Sequence, residues 1–304
     1  MTGLLLRRAV ETLITLLLIT VMVFGLTRLT GDPTSLLLPP EATEATRAAF
    51  RHAYGLDQNM FVQYEAFLIH LFEGDLGESF RLHEPAIGVA LDALGPTLKL
   101  ACAGMALSIV LGMPFGIVAA TSRRRWVKRL GRWYGSLGQA LPPFWVGLIL
   151  VSLLALQLPL FPTSGYGTAR HYVLPALTLA VATSSSIASL TQANLEEALR
   201  SDFIHMERVL GLPEWRIVLK HALRNASLPI VTFLALQFGL ILGGAIVTER
   251  VFAWPGIGQR IVEAILGRDY PVVQAIVLIT ATLFMLINLA ADLLYLVLDP
   301  RLRT

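Results

Sequence analysis

Six stretches of about 20 residues carry almost no charge, and they limit what this chain can fold into. The first runs over 9–29, interrupted near its ends by Glu11 and Arg28. Five uncharged blocks follow at 100–121, 133–158, 174–195, 225–248 and 271–291. An α-helix of that length crosses the hydrocarbon core of a bilayer, with tilt taking up any excess. The blocks predict an all-α polytopic membrane protein with six transmembrane helices. Composition agrees: of 304 residues, 55% are hydrophobic and 15% charged, against about 25% charged in soluble domains. Disorder, nucleic-acid binding and an ordinary soluble enzyme are excluded. The single cysteine, Cys102, excludes an internal disulfide and a thiolate metal cluster. Arg7 and Arg8 precede the first block as in a signal peptide, but the block is long for one and ends in TRLTGDP. It reads as a retained anchor.

Lys and Arg set the orientation. With the N-terminus inside, the inner segments 1–8, 122–132, 196–224 and 299–304 hold fifteen of them, and the two short outer loops hold four, Arg170, Arg250, Arg260 and Arg268. The first outer segment is too long to vote. Both termini are therefore expected in the cytoplasm. The chain divides into a tail and first helix (1–30), an outer lobe (31–96) and a core of five helices (97–304). Prolines make the start of the lobe turn and extended chain. Helix is expected from Ala42 to His52, and Phe61, Tyr64, Phe67, Leu68 and Leu71 recur at amphipathic spacing. That face either packs on the outer ends of the helices or rests on the membrane.

No Gly is followed by Lys, so there is no P-loop, and no H-E-x-x-H occurs. The six histidines are scattered, which predicts no metal site. No Asp, Glu, Lys or Arg lies mid-block, as an ion-coupled carrier usually requires. Asp292, with Asn288 a turn before it, lies near the inner end of the last block and suits a structural pairing. Nor is there a catalytic constellation for a membrane-embedded enzyme. Transport energy would have to come from a partner.

The longest inner loop reads LRSDFIHMERVLGLPEWRIVLKHALRNASLP. Ser201 or Asp202 is a fitting N-cap, Gly211 suits the left-handed position that closes a helix, and Pro213 suits the next helix start. In the second helix Trp215, Val218, Leu219 and Ala222 form one apolar stripe, and Arg216, Lys220 and Arg224 a basic one. Two short helices meeting at a corner are expected, their apolar surface covered by lipid or by a partner.

This loop resembles the EAA loop of ABC-importer permease subunits, in the form found in the dipeptide/oligopeptide/nickel group and specifically its first, B-type subunit. The matching positions are Gly211, His221-x-Leu223-Arg224-Asn225 and Leu228-Pro229. Family text also recurs in order along the chain: Leu29-Thr30-Gly31-Asp32-Pro33, Tyr54-Gly55-Leu56-Asp57-Gln58, Gly74-Asp75-Leu76-Gly77, Pro143-Phe144-Trp145, Ser164-Gly165-Tyr166-Gly167, Leu174-Pro175-Ala176, Phe252-Ala253-Trp254-Pro255-Gly256, Arg268-Asp269-Tyr270-Pro271 and Leu298-Asp299-Pro300-Arg301. The sequence departs where the general motif has E-A-A, with His205-Met206-Glu207, and where the family often has two arginines, with Ser189 and Gln192.

The resemblance implies a type I ABC-importer permease fold in a bacterial inner membrane. It implies a homologous second permease subunit, two ATPase chains that bind ATP and Mg, and an extracytoplasmic solute-binding protein. The substrate would be a peptide, or alternatively nickel, a nickel chelate or a glutathione-like solute. The helix around 203–211 would couple to the ATPase through Phe203, Ile204, His205, Met206, Glu207, Arg208, Gly211 and Leu212. Ser185, Ser189 and Gln192 in the polar fourth block, with Gln237, Gly239 and Gly243 in the fifth, are candidates for the path or gate, with ordinary helix packing as the alternative. Pro142 and Pro143 should kink the third block. The cations from Arg123 to Arg132 fix topology and meet anionic headgroups. Phe252, Trp254, Pro255 and Gly256 are candidates for an outer gate or binding-protein dock, with an interfacial aromatic belt as the other reading.

Overall fold

The structure, a computed structural model, describes residues 2–29, 38, 41–53, 55 and 57–298. The motif positions 30–33, Tyr54, Leu56 and 299–301, the extended segment predicted after residue 30 and the side chain of Asp292 lie outside the described residues. The described residues form helices and no strand; one isolated antiparallel bridge joins Glu78 and Pro85. In order the helices are α1 (Thr2–Leu29), α2 (Glu44–Ala53), α3 (Met60–Glu73), α4 (Ala86–Thr121), α5 (Arg125–Ala140), α6 (Pro143–Leu150), α7 (Ala169–Ala198), α8 (Asp202–Val209), α9 (Glu214–Arg216), α10 (Leu223–Val251), α11 (Ile257–Leu266) and α12 (Tyr270–Leu298). Two π-helical segments, Val151–Gln157 and Ile217–Ala222, continue α6 and lead into α10.

Among the described residues, four helices are long and apolar enough to cross a membrane: Ala86–Thr121, Ala169–Ala198, Glu214–Gly243 and Tyr270–Ala291. A fifth candidate is a bent pair, Arg125–Ala140 with Pro143–Gln157, turned by 99° at the break. Among the described residues, α1 contains a shorter apolar stretch, Val10–Leu26. The third block is therefore sharply bent at Pro142 and Pro143, where a kink was expected. Pro142 and Pro143 cannot donate to the preceding turn, and the chain reopens as a new helix with Pro143 in its first turn.

The chain divides into two compact units, residues 1–95 with 259–285, and 96–258 with 286–304. In the first, α3 lies against α1. The Phe24 ring meets Tyr64 edge-on at 5.4 Å and Phe67 at 5.7 Å, and the hydroxyls of Thr20 and Tyr64 are 2.8 Å apart. Tyr64, Phe67, Leu68 and Leu71 are half-buried, as their spacing predicts, while Phe61 is exposed. Two of the sequence motifs meet here. Ser79 Oγ donates to Asp269 Oδ2 at 2.5 Å, the Phe80 N–H donates to Asp269 Oδ1 at 3.2 Å, and Pro271 packs beneath Gly77.

The second unit is built around α7, which is buried along most of its length. Small residues let two neighbours approach it closely. On α4, a Cβ at Gly112 or Gly116 would collide with the carbonyls of Ser184 or Ala188. On α5, Gly131, Gly135 and Gly138 lie directly over Gln192, Ser189 and Ser185.

Candidate functional site

The corner begins where α7 ends. Ser201 stands at the N-cap of α8 with extended backbone, although its hydroxyl donates back to the Ala198 carbonyl at 2.6 Å rather than capping forward. Gly211 closes the helix at φ +77°, the left-handed conformation that glycine adopts without a Cβ penalty. Its N–H donates to the Arg208 carbonyl at 3.0 Å, and the Leu212 N–H to that of Glu207 at 3.2 Å. Pro213 is the N-cap of α9, one position before the expected first turn.

One side chain roots α8. Ile204 is fully buried among Ala120, Leu195, Ala198, Ile217, Ala222 and Ala226. A polar contact adds a second tie, Glu207 Oε1 lying 2.9 Å from His221 Nδ1, while Glu207 Oε2 is buried with no hydrogen-bond partner among the described residues. At the surface Arg208 Nε donates to Glu214 Oε1 at 2.9 Å across the corner. The opposite face is apolar and open: Phe203 and Met206 are exposed, and Val209 and Leu210 are 70% and 71% accessible. Beside this face lies a cleft of about 990 Å³, lined among others by Arg123, Lys128, Glu196, Arg200 and Trp215. Lys128 pairs with Glu196 at 3.5 Å, so one of the cleft's acids is already neutralised.

The second helix of the corner differs from expectation. It is not a separate short helix but the start of the candidate span Glu214–Gly243. The buried face also differs. Ile217, Ala222, Ala226 and Ile230 point inward, and Trp215 and Leu219, members of the expected stripe, are exposed. The π segment explains the change: its wider turn carries one extra residue and moves the buried row to Ile217 and Ala222, five apart.

Of the path candidates, Ser185 and Gln192 are buried and Ser189 half-buried, all under the glycines of α5. Ser185 Oγ donates to the Ala182 carbonyl at 2.7 Å, and Gln192 Nε2 to Glu196 Oε1 at 3.1 Å. In this conformation that face of α7 is a helix–helix contact. Gln237 is half-buried and Gly239 buried, while nothing lies within 4 Å of a Cβ built at Gly243, which leaves room for another helix.

The turn between α10 and α11 is ordered around a buried carboxylate. Thr97 Oγ1 donates to Glu249 Oε1 at 2.6 Å, the Gly258 N–H to Glu249 Oε2 at 2.6 Å, and the Ile257 N–H to Thr97 Oγ1 at 2.8 Å. Trp254 is completely buried, so the belt reading is corrected: the indole belongs to the core of its unit. Its Nε1–H donates to the Pro96 carbonyl at 3.0 Å, and Tyr166 and Tyr172 meet it edge-on at 4.8 and 4.6 Å. Phe252 is buried too, and its carbonyl accepts from the Gly165 N–H at 3.0 Å. Of the four candidates here only Pro255 is exposed; Phe252, Trp254 and Gly256 act on any surface through the shape of the turn. Sequence reasoning passed over Glu249 and Thr97, which lie far apart in the chain. It also passed over Gly131, Gly135 and Gly138, although their spacing was visible.

Two family models cover the chain: binding-protein-dependent transport system membrane component, N-terminal, over residues 1–101, and binding-protein-dependent transport system inner membrane component over 112–304. The glutathione transport system permease protein GsiC of Salmonella paratyphi A is 40% identical over 299 residues, 98% of each chain. The same protein of Escherichia coli strain K12 is 38% identical over 298 residues, 98% of this chain and 97% of its own. Among solved structures, an inward-facing MetNI methionine ABC transporter superposes with a TM-score of 0.58 at 18% identity, over 69% of this chain and 96% of its own. An amino acid ABC transporter gives 0.51 at 16% identity, over 70% and 94%. The chain belongs to the binding-protein-dependent transport system inner membrane components and is an ABC-importer permease of the peptide and nickel type.

Proposed function

We propose that this permease subunit forms, with a homologous second permease, the path by which a peptide or peptide-like solute enters a bacterial cell across the inner membrane. ATP and Mg bind to two separate ATPase chains, and hydrolysis occurs there. A solute-binding protein delivers substrate from outside to the outer lobe and the turn around Pro255. The chain crosses six times with both termini in the cytoplasm, the bent pair serving as one crossing and α1 as the first.

One observation carries the coupling role. Helix α8 presents Phe203, Met206, Val209 and Leu210 outward while Ile204 and the Glu207–His221 pair root it in the core. An ATPase groove that grips this face moves the helix as a rigid body, because its backbone hydrogen bonds are internal. His205, Arg208, Gly211 and Leu212 complete the contact or set its angle. Gln237, Gly239 and Gly243 belong to the path or the subunit contact. Ser185, Ser189 and Gln192 join the path only if α5 leaves α7. ATP shifts the permease between inward and outward states through its preference for the closed ATPase dimer.

Glutathione, named in the relatives, favours a small peptide-like substrate over nickel or a nickel chelate. Proteoliposomes test the reading. This chain alone should neither hydrolyse ATP nor accumulate solute, and both activities should appear when the second permease, the ATPase chains and the binding protein are added. Solute accumulation by the chain alone on an ion gradient would sink it. Calorimetry of the cognate binding protein with glutathione, dipeptides and nickel chelates decides the substrate class.

A further inference from the structure

Tyr166 is fixed in position by the turn that carries it. Gly165 and Gly167, on either side, are left-handed at φ +106° and +120°. The Gly165 N–H donates to the Phe252 carbonyl at 3.0 Å, and the Tyr166 ring meets Trp254 edge-on at 4.8 Å. Even so, Tyr166 keeps 39% of its surface exposed.

Its hydroxyl is loaded from behind. Lys99 Nζ donates to the phenol oxygen at 3.5 Å, and the Tyr172 hydroxyl hydrogen-bonds the same oxygen. The bond with Tyr172, with the Lys99 ammonium beside it, holds the Tyr166 phenol below its usual range, because both favour that oxygen as an acceptor. An ammonium can only donate, and a phenol oxygen that accepts twice turns its own O–H away from both donors. Among the described residues that O–H has no acceptor and Lys99 forms no ion pair.

A charged N–H and a neutral O–H thus stand together with no acceptor between them. Two donors at one point suit the two oxygens of a carboxylate. Lys99 is the last charge before the uncharged run 100–121, and the exposed face beyond it carries Cys102 and Ala106 over the next two turns. Small residues mark faces that meet protein or a path more than faces that meet lipid, and an ionisable group at such a place marks a solute route.

We propose that Lys99 and Tyr166 form a carboxylate-binding point at the outer mouth of the path, which takes the free carboxylate of the peptide-like solute as it leaves the binding protein. This rests on the orientation and the substrate class given under Proposed function. A solute without a free carboxylate misses this contact, so the pair selects among the cargo that the binding protein offers.

The chain has three lysines, and Lys99 alone lies outside the segments 122–132 and 196–224, which makes it separately readable. The complete importer, with its ATPase chains and loaded binding protein, takes up labelled glutathione in proteoliposomes. Ala-Ala, which also ends in a free carboxylate, replaces it if the binding protein prefers dipeptides. A carbodiimide added outside during turnover joins a carboxylate to an amine in contact with it, and peptide mass spectrometry reads the product. An amide between the solute and Lys99 is expected. K99R, which has no amine to acylate, should abolish it. Y166F, which keeps the ring against Trp254, should lower both its yield and uptake about fivefold, and K99Q should lower uptake to a similar extent. An amide from Lys99 to a carboxylate of the binding protein would make the pair a docking contact, and uptake with no amide at Lys99 would leave a lysine that meets headgroup phosphates. Either result overturns the proposal and leaves the permease reading standing. A wild-type importer that takes up neither solute would remove the peptide reading, and this inference with it.

Discussion

Glu207 and His221 stand 2.9 Å apart, the acid on α8 and the imidazole in the π segment that leads into α10. The pair joins the loop's H-M-E, where the chain departs from the general motif, to the later H-A-L-R-N, where it matches the family. It ties the exposed face of α8 to a long helix, so a push on one displaces the other. His221→Ala leaves the partly buried Glu207 carboxylate without this partner. Uptake per ATP hydrolysed should fall about fivefold, the effect of roughly 1 kcal/mol, while folding persists. Parallel phosphate-release and uptake assays check this; an unchanged ratio would remove the pair from the coupling route.

The corner also depends on backbone conformation. Gly211 at φ +77° tolerates no ordinary side chain without strain. Gly211→Ala should cost about 1–2 kcal/mol and lower coupling moderately. Gly211→Pro loses both the conformation and the N–H that reaches the Arg208 carbonyl, and should uncouple ATPase from uptake. Normal coupling in the proline variant would show that the corner is not the transmission element.

Close packing of α5 on α7 can be tested by rescue. A Cβ at Gly135 collides with Ser189 Oγ. Gly135→Ala should destabilise by about 1–3 kcal/mol, and Gly135→Ala/Ser189→Ala should recover most of it. Thermal unfolding in detergent gives the comparison. Additive effects would mean that the two helices do not meet there.

Trp254 serves the core. Trp254→Ala removes a buried indole and its bond to the Pro96 carbonyl, at a cost of about 3–5 kcal/mol. Pro255→Ala, at the exposed tip, should leave the melting temperature alone and weaken binding-protein docking in a pull-down. Both variants behaving alike in both assays would contradict this division.

Thr97→Val deletes the donor to Glu249 and the acceptor for the Ile257 N–H together. Leaving a buried carboxylate and amide short of partners should cost about 1–3 kcal/mol. Thr97→Ser, which keeps the hydroxyl, should lie close to the wild type in the same unfolding experiment.

Local chemistry was legible in the residues themselves. Uncharged runs gave the helices that suit a bilayer, because every backbone polar group there must be satisfied internally. Gly211 and Pro213 marked the corner through their own backbone preferences. The half-buried face of α3 followed from its spacing. What depended on distant partners was decided by the tertiary structure alone. The π turn at Ile217–Ala222 moved the buried row off the stripe that a regular helix would have. The serines and Gln192 of α7 were polar enough for a hydrated path, yet the glycines of α5 cover them. Trp254 looked like a membrane-interface aromatic, but Tyr166 and Tyr172 enclose it. Periodicity is a property of one segment and survives in one dimension, whereas which face meets which neighbour is fixed only when segments far apart in the chain are brought together.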